Sequence, residues 1–185
     1  GKDNSKTSQR GKVDFPRMKE GCLDGVFFAV FLGQGPLNDT AYAEVAEKTD
    51  HIFNAIYKVT EANDSIAGIA LEPDDIYALK KENKRAVFIG IENGYPIGKD
   101  ISKVKEYHDK GARYITLCHT SNNQICDSST DDEGADFNGL SGFGEEVVKE
   151  MNRLGIMIDV SHISDSSFYD VLALSESPVI ASHSC

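Results

Sequence analysis

What this sequence has little of narrows it first. No stretch approaches the ~18 uninterrupted apolar residues of a spanning helix. The first ten residues, "GKDNSKTSQR", lack the apolar centre of a secretory leader. Positive charge is scarce: 19 Lys and Arg stand against 30 Asp and Glu, and the formal net charge of −11 repels a nucleic-acid backbone or an anionic membrane face. Neither nucleic acid nor direct membrane insertion is therefore expected, and the chain reads as soluble without its compartment being fixed. The four cysteines, Cys22, Cys118, Cys126 and Cys185, form no CxxC pair and no even framework, which argues against a zinc knuckle and against a disulfide scaffold. They are expected as free thiols. Cys118 reads as packing, because its neighbour His119 points to the opposite face of a strand.

What is present is a rhythm. The 185 residues, 40% of them hydrophobic, suffice for one domain with a real core. A short helix is expected near 14–21. Apolar runs at 24–32, 65–71, 86–92, 113–119, 156–162 and 179–183 then read as strands. Helical patterns separate them at about 40–63, 72–84, 99–111, 144–154 and 165–175. Asp39 or Thr40 is placed to cap the first of these long helices, Ser164 the last, and Gly155 to close the fourth. Strands alternating with helices give right-handed βαβ units and a parallel sheet.

Two architectures compete, an open doubly wound sheet and a (β/α)8 TIM barrel. An open sheet that binds a nucleotide carries a glycine-rich turn after its first strand. "GQGP" at 33–36 has the wrong spacing for that turn, and a proline stands where the helix should open.

The polar residues decide between them. Glu92, His119, His162 and His183 each end one of the predicted strands. In a parallel barrel all C-terminal strand ends open on one rim, so four residues distant in sequence converge on one pocket. Imidazole nitrogen and carboxylate oxygen suit zinc and related divalent ions. A single histidine at a strand end is more often a hydrogen-bonded rim residue; repetition at equivalent ends favours ligands. His51 and His108 fall on polar helix faces and read as solvated. The acidic run Asp131, Asp132, Glu133 and Asp136 lacks a calcium-loop spacing and reads as a solvated loop able to serve as a lid.

Taken together, "GIENG" (90–94), "RYITLCHTSNN" (113–123), "GLSGFGEEVVKEMNRLGIMIDVSHIS" (139–164) and "SPVIASHS" (177–184) resemble the membrane (renal) dipeptidase family, metallopeptidases built on an amidohydrolase-type barrel. "FFAVFLGQGP" (27–36) looks like the second barrel strand of bacterial members. The resemblance implies two zinc ions per complete site, with Glu92 bridging them and His162 and His183 binding the second. It implies that His119 contacts the substrate and stabilises the tetrahedral intermediate. A hydroxide bridging the metals would attack the peptide bond of a dipeptide. A homodimer and a periplasmic or secreted setting are frequent in the family.

The first-metal His-x-Asp pair of that family has no counterpart here, nor have its substrate-gripping Arg and its last-strand Asp. The six predicted strands then become barrel strands two to seven, and residues 1–185 a single partial TIM-barrel domain with strands one and eight missing. On that reading the 185-residue chain alone is inactive and binds metal weakly. Two alternatives stand beside the zinc dipeptidase: a related amide or ester hydrolase, and a non-catalytic metal-binding barrel fragment.

Overall fold

Helix and strand alternate as the apolar runs predict. The computed structural model describes Lys6 and residues 11–184; Cys185 and most of the polar start lie outside the described residues. In chain order the elements are α1 (Phe15–Glu20), β1 (Gly25–Phe31), α2 (Asp39–Glu61), β2 (Ala67–Ile69), α3 (Pro73–Lys81) and β3 (Arg85–Glu92). There follow α4 (Ser102–Asp109), β4 (Ala112–Thr116), α5 (Gly142–Leu154), β5 (Met157–Asp159) and α6 (Asp165–Leu174). The strands form one sheet in the order β1-β3-β4-β5, with β2 pairing β3 off that path. The ladders of β2 with β3 and β4 with β5 are parallel, in the registers Gly68↔Ala86 and Ile115↔Ile158. Among the described residues no helix is long and apolar enough to cross a membrane.

By compactness the chain divides into two units. One holds residues 1–28 and 51–89, the other residues 29–50 and 90–185. In the first, Asp14 caps α1 by accepting from Arg17 N at 2.9 Å. Asp75 in the first turn of α3 turns its carboxylate back to Leu71 N and Glu72 N. Ala70, Ala86 and Phe88 form a small apolar core against Ile76 and Leu79.

The predicted strand 65–71 contracts here to three residues. Arg85 N donates to Ile66 O while Ala86 N donates to Asp24 O, so successive amides of β3 point to opposite sides and the start of β1 pairs with β3 directly. Residues 65–71 are therefore not a stave between β1 and β3. A short apolar run cannot reveal this, because burial looks the same for a stave and for a side branch.

The second unit has a core of Tyr42, Val45 and Tyr95, together with the buried faces of α4 (Val104, Tyr107) and α5 (Val147, Val148, Met151). The cap of α2 is Asn38, one residue before the expected pair; its side chain accepts from Ala41 N at 3.0 Å. Gly155, at φ 74°, and Ser164, which accepts from Ser167 N, close α5 and open α6 as predicted.

Three further predicted strands are shorter than expected. β4 stops at Thr116 and β5 at Asp159, and residues 179–183 form only a single parallel bridge between Ile180 and Asp159. The cause is local. One residue further Leu117 N still donates to Asp159 O and Val160 N to Ile180 O; from there Ser161 N and Ser182 N turn to the Asp159 carboxylate and His183 N to Ser161 Oγ, and those bonds shape the rim.

Candidate metal centre

β3 is buried along its length until its last residue, Glu92. The two positions that follow set the direction of the carboxylate. Asn93 is fully buried at φ 80°, a left-handed conformation that asparagine tolerates better than most residues. Its Oδ1 accepts from Tyr95 N and from Asn123 Nδ2, and its Nδ2 donates to Leu32 O and Gln34 Oε1. Gly94 is required because a Cβ there would lie 2.5 Å from Ile125 Cδ1 and 2.8 Å from Leu117 O.

His119 lies in the loop after β4. Behind it Asn123 donates to Leu117 O at 2.8 Å and accepts from Ile125 N and Cys126 N. His162 follows β5 with φ 73°, an uncommon conformation for a residue with a Cβ, and its carbonyl accepts from Ser129 N at 2.8 Å.

All four predicted residues come together. Glu92 Oε1 lies 3.5 Å from His119 Nε2, 3.8 Å from His183 Nε2 and 3.9 Å from His162 Nε2. The Nε2 atoms of His162 and His183 are 2.7 Å apart. The rings pack in sequence: Phe31 on His119 at 5.0 Å between centroids, His119 on His162 at 4.2 Å, and His162 on His183 at 4.7 Å. Partial burial, with His119 and His183 nearby, lowers the pKa of His162 and favours the neutral imidazole that a metal requires.

The donor set fits a divalent cation. One carboxylate oxygen faces three imidazole nitrogens at separations close to the roughly 3.3 Å between ligands of a tetrahedral zinc ion. Ligand atoms of Glu92, His119 and His162 all lie within 4.8 Å of one another. Distance alone does not separate His119 from the other two histidines. Beside His162 and His183 opens a cavity of about 520 Å³, also lined by Ser129, Asp165 and Phe168, within the size range of small-molecule sites.

The remaining sequence candidates stay apart from this cluster. His51 is exposed, and His108 pairs loosely with Asp109 at 3.4 Å. Cys22, Cys118 and Cys126 are free, and burial, with Cys118 alongside, pushes the Cys126 thiol well up. The loop 120–142 is only partly the solvated segment expected. Residues 122–128 are buried, and Asp131 accepts from Asn122 N and Glu133 N, while 132–138 are exposed. Sequence reasoning missed Asn93, Asn123, Asp127 and Asp159; for Asn93 a signal was available in the Asn-Gly pair directly after a buried strand.

A parallel α/β sheet whose strand ends gather one carboxylate and three imidazoles defines a candidate metallohydrolase. The family model for the membrane dipeptidases, peptidase family M19, matches residues 1–185, and the chain belongs to that family. It is 32% identical over 178 residues to dipeptidase tcpJ of Claviceps purpurea (strain 20.1), covering 94% of this chain and 42% of the relative. To dipeptidase verJ of Clonostachys rogersoniana it is 34% identical over 178 residues, with coverages of 93% and 46%. A crystal structure described as that of "the probable dipeptidase PvdM" from Pseudomonas aeruginosa superposes with a TM-score of 0.88 at 28% identity, covering 97% of this chain and 47% of that one. The chain thus spans less than half the length of these relatives.

Proposed function

We propose that this site takes part in the metal-dependent hydrolysis of dipeptides, with zinc as the metal. The observation that carries the reading is the convergence of Glu92 Oε1 with the Nε2 atoms of His119, His162 and His183 at 3.5–3.9 Å. Membership of a dipeptidase family supports the substrate class. Glu92, His162 and His183 would hold metal; Glu92, facing all three histidines, is placed to serve two ions. When bound, the metal supplies a nucleophilic water near neutral pH and polarises the scissile carbonyl.

The chain's own residues do the rest. Asn93 and Gly94 aim the Glu92 carboxylate, and the left-handed backbone at His162 turns its ring toward Glu92. His119, its ring tilted against the half-exposed Phe31, is placed to donate a hydrogen bond to a substrate oxygen as charge develops there. The cavity beside His162 and His183 is of a size for a dipeptide.

Metal content and amino-acid release test this reading on the same sample, with Gly-D-Ala and an N-acyl amino acid as substrates. In a polypeptide spanning the relatives' full length, we expect two zinc ions and turnover of the dipeptide. The 185-residue chain, with three of the expected ligands and no first-metal pair, is expected to bind zinc weakly and to turn over nothing. Preference for the N-acyl amino acid would reassign the substrate; absence of zinc from the longer polypeptide would overturn the reading.

A further inference from the structure

The buried carboxylate of Asp159 is hydrogen-bonded to all three histidine-bearing segments, and the proposed hydrolysis gives it no part. It is fully buried at the end of β5. Thr116, three residues before His119, donates its hydroxyl to Oδ2 at 2.5 Å. Ser161, which precedes His162, donates its backbone N–H to Oδ1 at 3.1 Å, and its hydroxyl lies 2.8 Å from the same oxygen. Ser182, which precedes His183, donates its N–H to Oδ1 at 2.9 Å and its hydroxyl to Oδ2 at 2.6 Å. Ser161 Oγ also accepts from His183 N at 3.2 Å.

Proton counting along one branch gives a definite result. A carboxylate only accepts, and a serine hydroxyl has one proton to give. With that proton directed to Asp159, Ser182 Oγ can only accept from His183 Nδ1, 2.9 Å away. His183 must then carry its hydrogen on Nδ1, which leaves the Nε2 lone pair facing Glu92 and His162. Metal-binding histidines commonly have the second nitrogen fixed by a carboxylate in this way; here a serine is interposed.

We infer that Asp159 is a positioning residue that sets the tautomer of His183 through Ser182, while anchoring the segments that carry His119 and His162. The effect on metal binding rests on the reading of this site as a metal centre; the tautomer does not, and the two can be tested separately.

The first readout is a long-range 1H–15N correlation spectrum of the isotope-labelled, metal-free 185-residue chain. We expect His183 in the Nδ1–H form in the wild type, a shift toward the Nε2–H form in Ser182→Ala and Asp159→Asn, and return of the Nδ1–H form in Ser182→Thr. The second readout is a zinc titration, in which Ser182→Ala should bind about 10- to 100-fold more weakly than wild type and Ser182→Thr should recover. An Nε2–H His183 in the wild type, or a tautomer unmoved by Ser182→Ala, overturns the inference. Nδ1–H in the wild type, together with no zinc in a polypeptide spanning the relatives' full length, supports the relay and counts against the metal reading alone.

Discussion

The two compact units hold themselves together by different means. Among the described residues of the unit 1–28 and 51–89 the buried polar ones are Asp14, Thr60 and Arg85, set among apolar residues that include Phe15, Met18, Phe53, Ala70, Ala86 and Phe88. The unit of residues 29–50 and 90–185 buries Asn93, Thr116, Asn122, Asn123, Asp127 and Asp159 among others, each bonded to loop backbone or to a neighbouring side chain. Apolar contact is forgiving of shape, because a neighbour can shift to meet a changed volume. A buried hydrogen-bond network is not, because each lost partner strands another polar group away from water. The unit that holds the histidines is therefore the better defined and the easier to break by a single atom exchange.

The sharpest way to break that contrast is at the carboxylate shared by the histidines. Glu92→Gln keeps the shape and removes the charge; in a full-length dipeptidase we expect zinc stoichiometry to fall and kcat/KM to drop by about a thousandfold, roughly 4 kcal/mol. His119→Ala should lower kcat by about 100-fold with zinc content unchanged, as measured by metal analysis and steady-state kinetics. Loss of zinc in that variant would make His119 a ligand.

Stability comes next. Asn93→Ala removes four side-chain hydrogen bonds and leaves alanine in the left-handed region, and should cost about 2–4 kcal/mol in urea unfolding. Phe88→Leu, in the apolar unit, should cost about 1 kcal/mol, and zinc content should not change. Lys80→Ala deletes an exposed ion pair with Asp24 and should cost less than about 1 kcal/mol.

Acid provides a different test. Burial alone would raise the pKa of Asp159, but the bonds from Ser182 N and Oγ, Thr116 Oγ1 and Ser161 N outweigh it and hold the carboxyl below its ordinary value. Over that range the unfolded chain binds more protons than the folded one, so stability rises with pH. The contribution is fully present above the unfolded pKa near 3.9 and is lost as pH falls through the lower folded value. Unfolding free energy followed from pH 5 downward should therefore lose slope in Asp159→Asn.

The location of the candidate site was legible because strand periodicity announces its own end. Apolar runs stopping at Glu92, His119, His162 and His183 placed four donor groups on one rim before any coordinates. The lengths of those strands were not legible, because at Thr116 and Asp159 the ladder gives way to side-chain partners distant in sequence. The side branch at Ala67–Ile69 was hidden for another reason: three residues of a short run carry no mark of which neighbour they pair with. The burial of Asn122, Asn123 and Asp127 was not legible either, because polar residues in a loop are usually solvated. Their burial depends on backbone amides that fold back onto them, such as Asp136 N, Phe137 N and Gly139 N on the Asp127 carboxylate.

That last closure separates the site from the surface beyond it. Cys126 and Leu140 bridge the neck of the loop, and the tip at 132–135 is exposed. Within the tip the Gly134 carbonyl accepts from the buried Asn122 Nδ2 at 2.7 Å, so a change of length placed after Gly134 would leave the neck and the histidine-bearing segments where they are. The junction of Gly134 and Ala135 is accordingly where a reporter or affinity tag could be spliced into the chain, and where relatives of different length could diverge without disturbing their chemistry.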